Sequence, residues 1–334
     1  MAEIVLGIAS SHGPMLSMTA EQWELRAESD RKMKNLIFRG REYDYEALQE
    51  IRKGERLEAQ CSLRIMEERY RACQRALDVL ADTFARAAPD VAVIFGNDQK
   101  EVFNEENMPA FLIFHGPYVE GHPPHMDEKT PAWHAASASG YRPERDTTYP
   151  VATNLAQYLI EYVMDRGFDV SRSTQLPAGW ENDHQVPHAF GFIFRRIMRD
   201  RVIPTVPIFT NTFYPPNTPK VTRVYQFGRI VGEAIRNWKE DARVALFGSG
   251  GLTHFVVDED FDRQVIRALQ EGDEAIKSLP EENLRSGNSE IKNWVAVAGA
   301  LTDTTLRMEV VDYVPCYRTP AGTGTGQGFV RWIL

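Results

Sequence analysis

The sequence predicts an α/β fold with a mixed, largely parallel central sheet flanked by helices, plus an inserted helical segment. Short apolar runs that stop at polar residues, such as "VAVIFGNDQ" at residues 91–99, are typical of buried parallel strands. These runs alternate with segments of helical periodicity, which is the pattern of consecutive β-α-β units. We therefore expect a single domain over residues 1–334, because no repeat or low-complexity linker divides the chain.

The first half of the chain contains one strand signal, a helical insertion, a second strand signal and a long loop. "EIVLGIASSH" predicts the first strand. Residues 20–88 form the insertion, in which apolar side chains between Leu57 and Leu80 recur every three to five positions, as in an amphipathic helix. The segment 104–150 is rich in proline, glycine and histidine, and a loop of that length is usually functional.

The second half continues the alternation of helix and strand signals. We expect helices at residues 151–167, 221–241, 262–271 and 289–301, and strands at residues 168–170, 202–211, 243–251, 307–314 and 326–334.

The composition excludes several classes of function. With 43% hydrophobic and 25% charged residues, the chain is typical of globular proteins. A net charge of −9 argues against nucleic-acid binding, which usually leaves a basic surface. Three cysteines without paired spacing indicate reduced thiols. Without a secretory signal or an apolar run of about 20 residues, a cytoplasmic protein with no membrane partner is expected.

Three histidines follow predicted strands or turns. His12 comes after the first strand, His184 lies in "ENDHQVPH", and His254 ends "GSGGLTH". Ligands of open α/β sheets bind beyond the carboxyl ends of the strands, so these side chains can meet in one cleft. Histidine is the commonest metal ligand and the usual base near neutral pH, although a single histidine in such a place more often only makes hydrogen bonds.

Two glycine-rich segments have a structural and a functional interpretation. "GSGGLTH" lacks the third glycine of a dinucleotide-binding motif, so we interpret it as a tight turn that brings backbone close to a ligand. "PCYRTPAGTGTGQG" can be an ordinary loop between strands. It can also form a carboxylate pocket from Arg318, Thr319, Thr323 and backbone N–H groups.

Further candidates depend on partners that the sequence does not identify. Glu290 lies in the first turn of a predicted helix, where an acidic residue commonly serves as a cap and becomes a metal ligand only within a larger set. Asp98 is more typical of a carboxylate that organises backbone than of a ligand. The histidines of the long loop can line a pocket or contact a metal; they are His115, His122, His125 and His134.

Four motifs occur in the order found in class III (LigB-type) extradiol ring-cleavage dioxygenases. They are "GIASSHGPM", "ENDHQVPH", "GSGGLTH" and "SGNSEIKNWVAVAGAL". The chain resembles this family over nearly its whole length, and its long opening resembles the single-chain 3-O-methylgallate dioxygenase branch. The resemblance implies a non-haem Fe(II) enzyme that uses O2 to cleave a lignin-derived catecholic acid, with a homodimer possible. The expected substrate is 3-O-methylgallate; gallate, protocatechuate and a biphenyl catechol are the alternatives.

The resemblance also assigns individual residues. It implies that His12 is the first iron-binding histidine, Glu290 the carboxylate ligand and His184 the acid–base histidine, with His254 supporting the site or contacting substrate. The set of two histidines and one carboxylate leaves positions open for catecholate and O2.

The chain departs from the family pattern at Gln99, where the protocatechuate enzymes have an iron-binding histidine. Three interpretations stay open: Gln99 binds through its amide oxygen, a histidine from residues 115–134 replaces it, or iron is bound poorly. The third interpretation allows a non-catalytic binding protein on the same fold. A metal-dependent hydrolase built on the same residues is a further alternative.

Overall fold

The computed structural model describes residues 1–178 and 184–334, and the bounds below refer to these residues. The strands are β1 Glu3–Ser10, β2 Leu36–Phe38, β3 Arg41–Tyr43, β4 Val91–Gly96, β5 Phe111–Phe114, β6 Tyr118–Gly121, β7 Thr147–Pro150, β8 Ser171–Ser173, β9 Thr205–Thr210, β10 Arg243–Ser249, β11 His254–Val256, β12 Arg307–Tyr317 and β13 Thr323–Ile333. The α-helices are α1 Trp23–Asp30, α2 Tyr45–Arg52, α3 Leu63–Ala87, α4 Ala132–Ser137, α5 Thr153–Asp165, α6 His188–Phe192, α7 Val221–Asn237, α8 Glu259–Glu271, α9 Asp273–Lys277 and α10 Ile291–Ala300.

The described residues contain a nine-stranded sheet whose order is β11-β13-β1-β10-β4-β9-β5-β8, with β12 paired to β13. Strands β1, β10, β4 and β9 are neighbours and run parallel. On either side of them, β13 and β5 pair in the antiparallel sense. The predicted α/β fold with a mixed, largely parallel sheet is therefore confirmed.

Helices cover both faces of this sheet, because its central strands are apolar on both sides. On one face, α5, α7 and α10 pack with Val93, Phe95 and Leu246 into one large core. On the other face, α3 and α6 pack with Ile8, Ile94 and Phe247. Strands buried on both faces end at one edge of the sheet, where the following turns can approach one another.

The insertion and the long loop contain more regular structure than the sequence indicates. Residues 20–88 hold α1, α2 and α3 and also the β2–β3 hairpin. Within residues 104–150, β5 joins the main sheet, while β6 and β7 form a separate pair around α4. Three- and four-residue strands contain too few positions to show a reliable alternation, which is why the sequence pattern missed them. The strand predicted at residues 168–170 lies at β8, Ser171–Ser173.

The described residues contain no helix that is both long enough and apolar enough to cross a lipid bilayer.

Candidate metal centre

Three donor side chains meet at the carboxyl edge of the parallel strands. They are His12, His188 and Glu290, and one ligand atom from each lies within 4.8 Å of the other two. The Nε2 atoms of His12 and His188 are 3.2 Å apart, and His12 Nε2 lies 3.2 Å from Glu290 Oε2. Two imidazole nitrogens and one carboxylate oxygen are the donor set of non-haem Fe(II) sites, so these residues fit a divalent iron.

His12 presents a metal-binding lone pair because of the hydrogen bonds made by Ser249. The Ser249 hydroxyl donates to the Ala189 carbonyl at 2.5 Å, so it accepts from His12 Nδ1 at 2.9 Å. His12 is thereby held in the tautomer whose unprotonated Nε2 faces the centre. Burial lowers the pKa of His12 despite the adjacent Glu290, and a neutral imidazole is the form that binds metal.

His188 begins α6 and is oriented by Glu101, a residue of the turn that follows β4. The Glu101 carboxylate accepts from His188 Nδ1 and from the His188 backbone N–H, the latter at 3.1 Å. Arg142 Nη2 lies 3.4 Å from the same carboxylate. Burial raises the pKa of Glu101, but His188 and Arg142 outweigh burial and lower it to about 2. An ionised Glu101 therefore fixes the His188 ring with Nε2 toward the centre.

Glu290 is held at both carboxylate oxygens. Its Oε1 accepts from the side-chain amides of Asn97, at 3.0 Å, and Gln99, while its Oε2 accepts from Gly251 N–H at 3.1 Å. Burial opposes ionisation, but the imidazoles of His12 and His254 hold the pKa of Glu290 well below its usual range. The carboxylate is therefore ionised, and Oε2 is the atom that faces the histidines.

The "GSGGLTH" turn approaches Glu290 so closely that a side chain at Gly250 would not fit. A Cβ at Gly250 would lie 2.8 Å from Glu290 Cβ and 2.9 Å from the Glu290 carbonyl oxygen. The turn expected from the sequence is present, and the group that its backbone approaches is Glu290.

His254 lies beside the three donors. Its Nε2 is 3.4 Å from Glu290 Oε2, and its Nδ1 donates to the Leu252 carbonyl at 2.8 Å. Burial lowers the pKa of His254, but the charge of Glu290 outweighs burial and raises it. His254 is thus an imidazole with a fixed ring and one nitrogen facing the centre, which suits proton transfer.

Gln99 and Asp98 both support the centre through hydrogen bonds. The amide nitrogen of Gln99 donates to Glu290 Oε1, so the amide holds the carboxylate, and a role of Gln99 as an iron ligand stays a prediction. Asp98 accepts from the backbone N–H groups of Glu101, Val102 and Phe103 at 2.8–3.1 Å. It therefore shapes the turn that carries Glu101, which agrees with a carboxylate that organises backbone.

His184 has no contact with the three donors among the described residues. Its Nδ1 donates to the Leu176 carbonyl at 2.6 Å, and its role as the acid–base histidine stays a prediction. The five residues before it, 179–183, which include the start of its motif, lie outside the described residues.

The long-loop histidines do not join the donor set in the part of the chain that the structure describes. His122 pairs with Asp146 and Glu120, and His134 stacks on Tyr141. Gln99 or a histidine of residues 115–134 was expected as the second ligand. Among the described residues, the histidine that joins His12 and Glu290 is His188, in the "ENDHQVPH" motif.

The predicted carboxylate pocket is only partly available for binding. Arg318 Nε donates to Asp30 Oδ2 at 2.7 Å, and the hydroxyls of Thr319 and Thr323 bond to each other at 2.9 Å. All three side chains are buried. Their role in substrate binding stays a prediction.

A known protein family matches most of the chain. The family of the catalytic LigB subunit of aromatic ring-opening dioxygenase matches residues 66–326, which is well over half of the chain. The chain belongs to the LigB family. The matched range includes His188, His254 and Glu290, while His12 precedes it.

The LigB-family protein is also similar to several 2,3-dihydroxyphenylpropionate/2,3-dihydroxicinnamic acid 1,2-dioxygenases. It is 31% identical to one from Rhodococcus globerulus over 166 residues, covering 50% of this chain and 44% of the relative. It is 33% identical to one from Rhodococcus jostii (strain RHA1), covering 52% and 46%. The relative from Comamonas testosteroni is 29% identical, covering 50% and 44%. The chain thus spans less than half the length of these three relatives.

Glu101 gives a direct test of how the LigB-family centre is organised. We expect Glu101→Gln to weaken Fe(II) binding roughly 10- to 100-fold, because a neutral amide orients His188 less firmly than a carboxylate. Anaerobic Fe(II) titration measures this. Glu105→Gln is the matched control, since that glutamate is exposed and contacts only Lys100 among its described partners. Equal affinities of the two variants would show that His188 needs no orienting partner.

Proposed function

We propose that the protein is an Fe(II)-dependent extradiol dioxygenase that cleaves the ring of a catecholic acid. The convergence of His12, His188 and Glu290 on one point carries this proposal. Membership of the LigB family supports it. The three residues would hold Fe(II), which when bound supplies Lewis acidity and a place for catecholate and O2 to meet.

The protein's own residues would prepare the site for that chemistry. Ser249 and Glu101 hold Nδ1 of the two histidines, so that Nε2 of each ring is directed inward. Asn97 and Gln99 hold Glu290 Oε1, and the Gly251 N–H holds Oε2, the oxygen that faces the histidines. Such fixed orientation reduces the reorganisation needed when substrate arrives.

His254 is the group best placed to accept a proton from a catechol hydroxyl and later to return it. Its Nε2 faces Glu290, and its ring is fixed through Nδ1. The charge of Glu290 raises the pKa of His254, and an imidazole is the side chain that most often accepts and returns protons near neutral pH. His184 remains the alternative acid–base residue that the motif implies.

The substrate class is proposed from the motifs and the relatives together. The opening motif favours 3-O-methylgallate, whereas the relatives are named as dioxygenases of 2,3-dihydroxyphenylpropionate. Both molecules are catecholic acids. Gallate, protocatechuate and a biphenyl catechol belong to the same class.

Oxygen uptake by the Fe(II)-loaded protein tests the proposal. We expect uptake with one or more catecholic acids, accompanied by loss of the aromatic absorbance band, and none with the matching monohydroxy acids. A hydrolase would turn over substrate without O2, so product formation under anaerobic conditions would contradict the proposal. Failure to bind Fe(II) in anaerobic purification and reconstitution would instead favour the non-catalytic alternative.

A further inference from the structure

Two arginines share one buried carboxylate, Asp30. Arg318 Nε donates to Asp30 Oδ2 at 2.7 Å, and Arg26 Nε lies 3.5 Å from Asp30 Oδ1. The Arg318 and Asp30 side chains are 2% and 0% exposed, and that of Arg26 is 12% exposed. Arg26 and Asp30 both lie on α1, within the helical insertion.

The cluster carries a net positive charge. Among the described residues, Asp30 is the one carboxylate paired with either guanidinium, so two cations face one anion. Arg318 Nη2 is buried and has no hydrogen-bond partner among the described residues. Burial, reinforced by the charge of Arg318, lowers the pKa of Arg26 to about 10 against the attraction of Asp30. An uncompensated buried cation is costly, and an anionic ligand would remove that cost.

Both arginines contact residues that lie close in sequence to histidines of the metal centre. Arg318 Nη1 lies 2.9 Å from Met15 Sδ, three positions after His12. The Arg26 guanidinium lies 5.3 Å from the ring centre of Phe255, the neighbour of His254, and 4.5 Å from that of Trp133. The charge of Arg318 also acts on the imidazole of His254.

Gln327 adds a neutral donor and acceptor to the same region. Both of its polar atoms are buried without a hydrogen-bond partner among the described residues. A Cβ at Gly13, next to His12, would lie 3.6 Å from Gln327 Nε2. In the β12–β13 hairpin, Gln327 lies on the face that also carries Thr323, whose carbonyl accepts from the Arg318 backbone N–H at 2.8 Å. Buried amides are almost always hydrogen-bonded, so this one requires a partner.

We propose that Arg26, Arg318 and Gln327 form a subsite that binds the carboxylate of an aromatic acid beside the metal centre. This inference rests on the proposed function, for which it names the residues that select an acidic substrate. Arg318 Nη2 and Gln327 Nε2 supply donors to the carboxylate oxygens, and Arg26 supplies the second positive charge. The hydroxyls of Thr319 and Thr323 bond to each other, which leaves at most one of them free to donate to a ligand.

Calorimetric titration of the Fe(II)-loaded protein under anaerobic conditions, with three ligands as probes, tests the subsite. They are 3,4-dihydroxybenzoate, its carboxamide, which keeps both hydroxyls but lacks the charge, and benzoate, which keeps only the charge. We expect the wild type to bind the dihydroxybenzoate at least about tenfold more tightly than the carboxamide, since a charged hydrogen bond is lost with the latter.

The variants R26Q, R318Q and Q327L should reduce this preference about tenfold, mainly through weaker binding of the acid. R31Q is the matched control on the same helix end, because Arg31 pairs with the exposed Glu24. Circular dichroism checks folding, and the R26Q and Q327L variants decide the question when R318Q does not fold. A wild type without preference for the acid, or folded R26Q and Q327L variants that retain the full preference, overturns the subsite.

Benzoate separates failure of the subsite from failure of the proposed function. Arginine-dependent binding of benzoate without O2 uptake on any catecholic acid supports the subsite and contradicts ring cleavage. Ring cleavage with equal affinity for acid and carboxamide contradicts the subsite alone.

Discussion

Replacing His188 with alanine is expected to abolish tight Fe(II) binding and, with it, any O2 uptake. The substitution removes one of the three donors and leaves His12 Nε2 and Glu290 Oε2 as a pair. The loss should exceed the roughly 10- to 100-fold typical of removing a residue that only orients a ligand. Anaerobic Fe(II) titration followed by metal analysis gives the affinity.

His184→Ala is the matched control for this prediction, because the two histidines lie in one motif and only His188 contacts the donor set among the described residues. We expect His184→Ala to retain iron. Loss of iron in His184→Ala together with retention in His188→Ala would reverse the assignment. Gln99→Ala tests whether Gln99 is itself a ligand, because that role requires the variant to lose iron as severely as His188→Ala.

Glu290→Gln is expected to have an effect of similar size for an electrostatic reason. The glutamine has nearly the same shape but lacks the negative charge that attracts a divalent cation. Its amide would also face the donors Asn97, Gln99 and Gly251 N–H, which now stabilise a carboxylate. The measurement is the Fe(II) affinity, accompanied by thermal unfolding to confirm the fold.

Glu282→Gln is the control for Glu290→Gln, because Glu282 is an exposed carboxylate in the same region of the chain. Iron affinity of Glu290→Gln within about threefold of this control would show that Glu290 is not a ligand.

The sequence predicted the sheet because strands depend on strong local signals, whereas His12 and Glu290 were expected as ligands from the resemblance to the LigB family. Apolar runs that stop at polar residues marked β1, β4 and β10, and their carboxyl ends do meet. His12 and Glu290 come from opposite ends of the chain, yet they lie 3.2 Å apart. Parallel strands that end at one edge make such convergence a property of the fold.

The role of His188 was not predictable from the sequence, because it depends on side-chain direction. His184 and His188 occur in one motif, and periodicity does not distinguish them there. Their environments in the structure differ: His188 starts α6 after Pro187 and bonds to Glu101, while His184 bonds to the Leu176 carbonyl. The sequence signal that could have pointed to His188 was Glu101, two positions after Gln99. Its importance depends on a contact with His188 that is distant in sequence.

The pairing of Arg318 with Asp30 was also not predictable from the sequence. Its residue type indicates anion binding, but its partner Asp30 lies in the insertion, far away in sequence. No spacing rule connects the two positions, so only the packed structure shows that one carboxylate serves two guanidinium groups.

The distribution of the three donors along the chain would link the proposed loading of iron to the completion of folding. His12 follows the first strand, His188 begins a helix in the middle, and Glu290 precedes a helix near the end. A fragment that starts at residue 66 spans the family match but lacks His12 and β1. Since a partly assembled chain offers at most two donors, bound iron should stabilise only the complete native state. Iron binding would thereby favour the completely folded chain over partly folded ones.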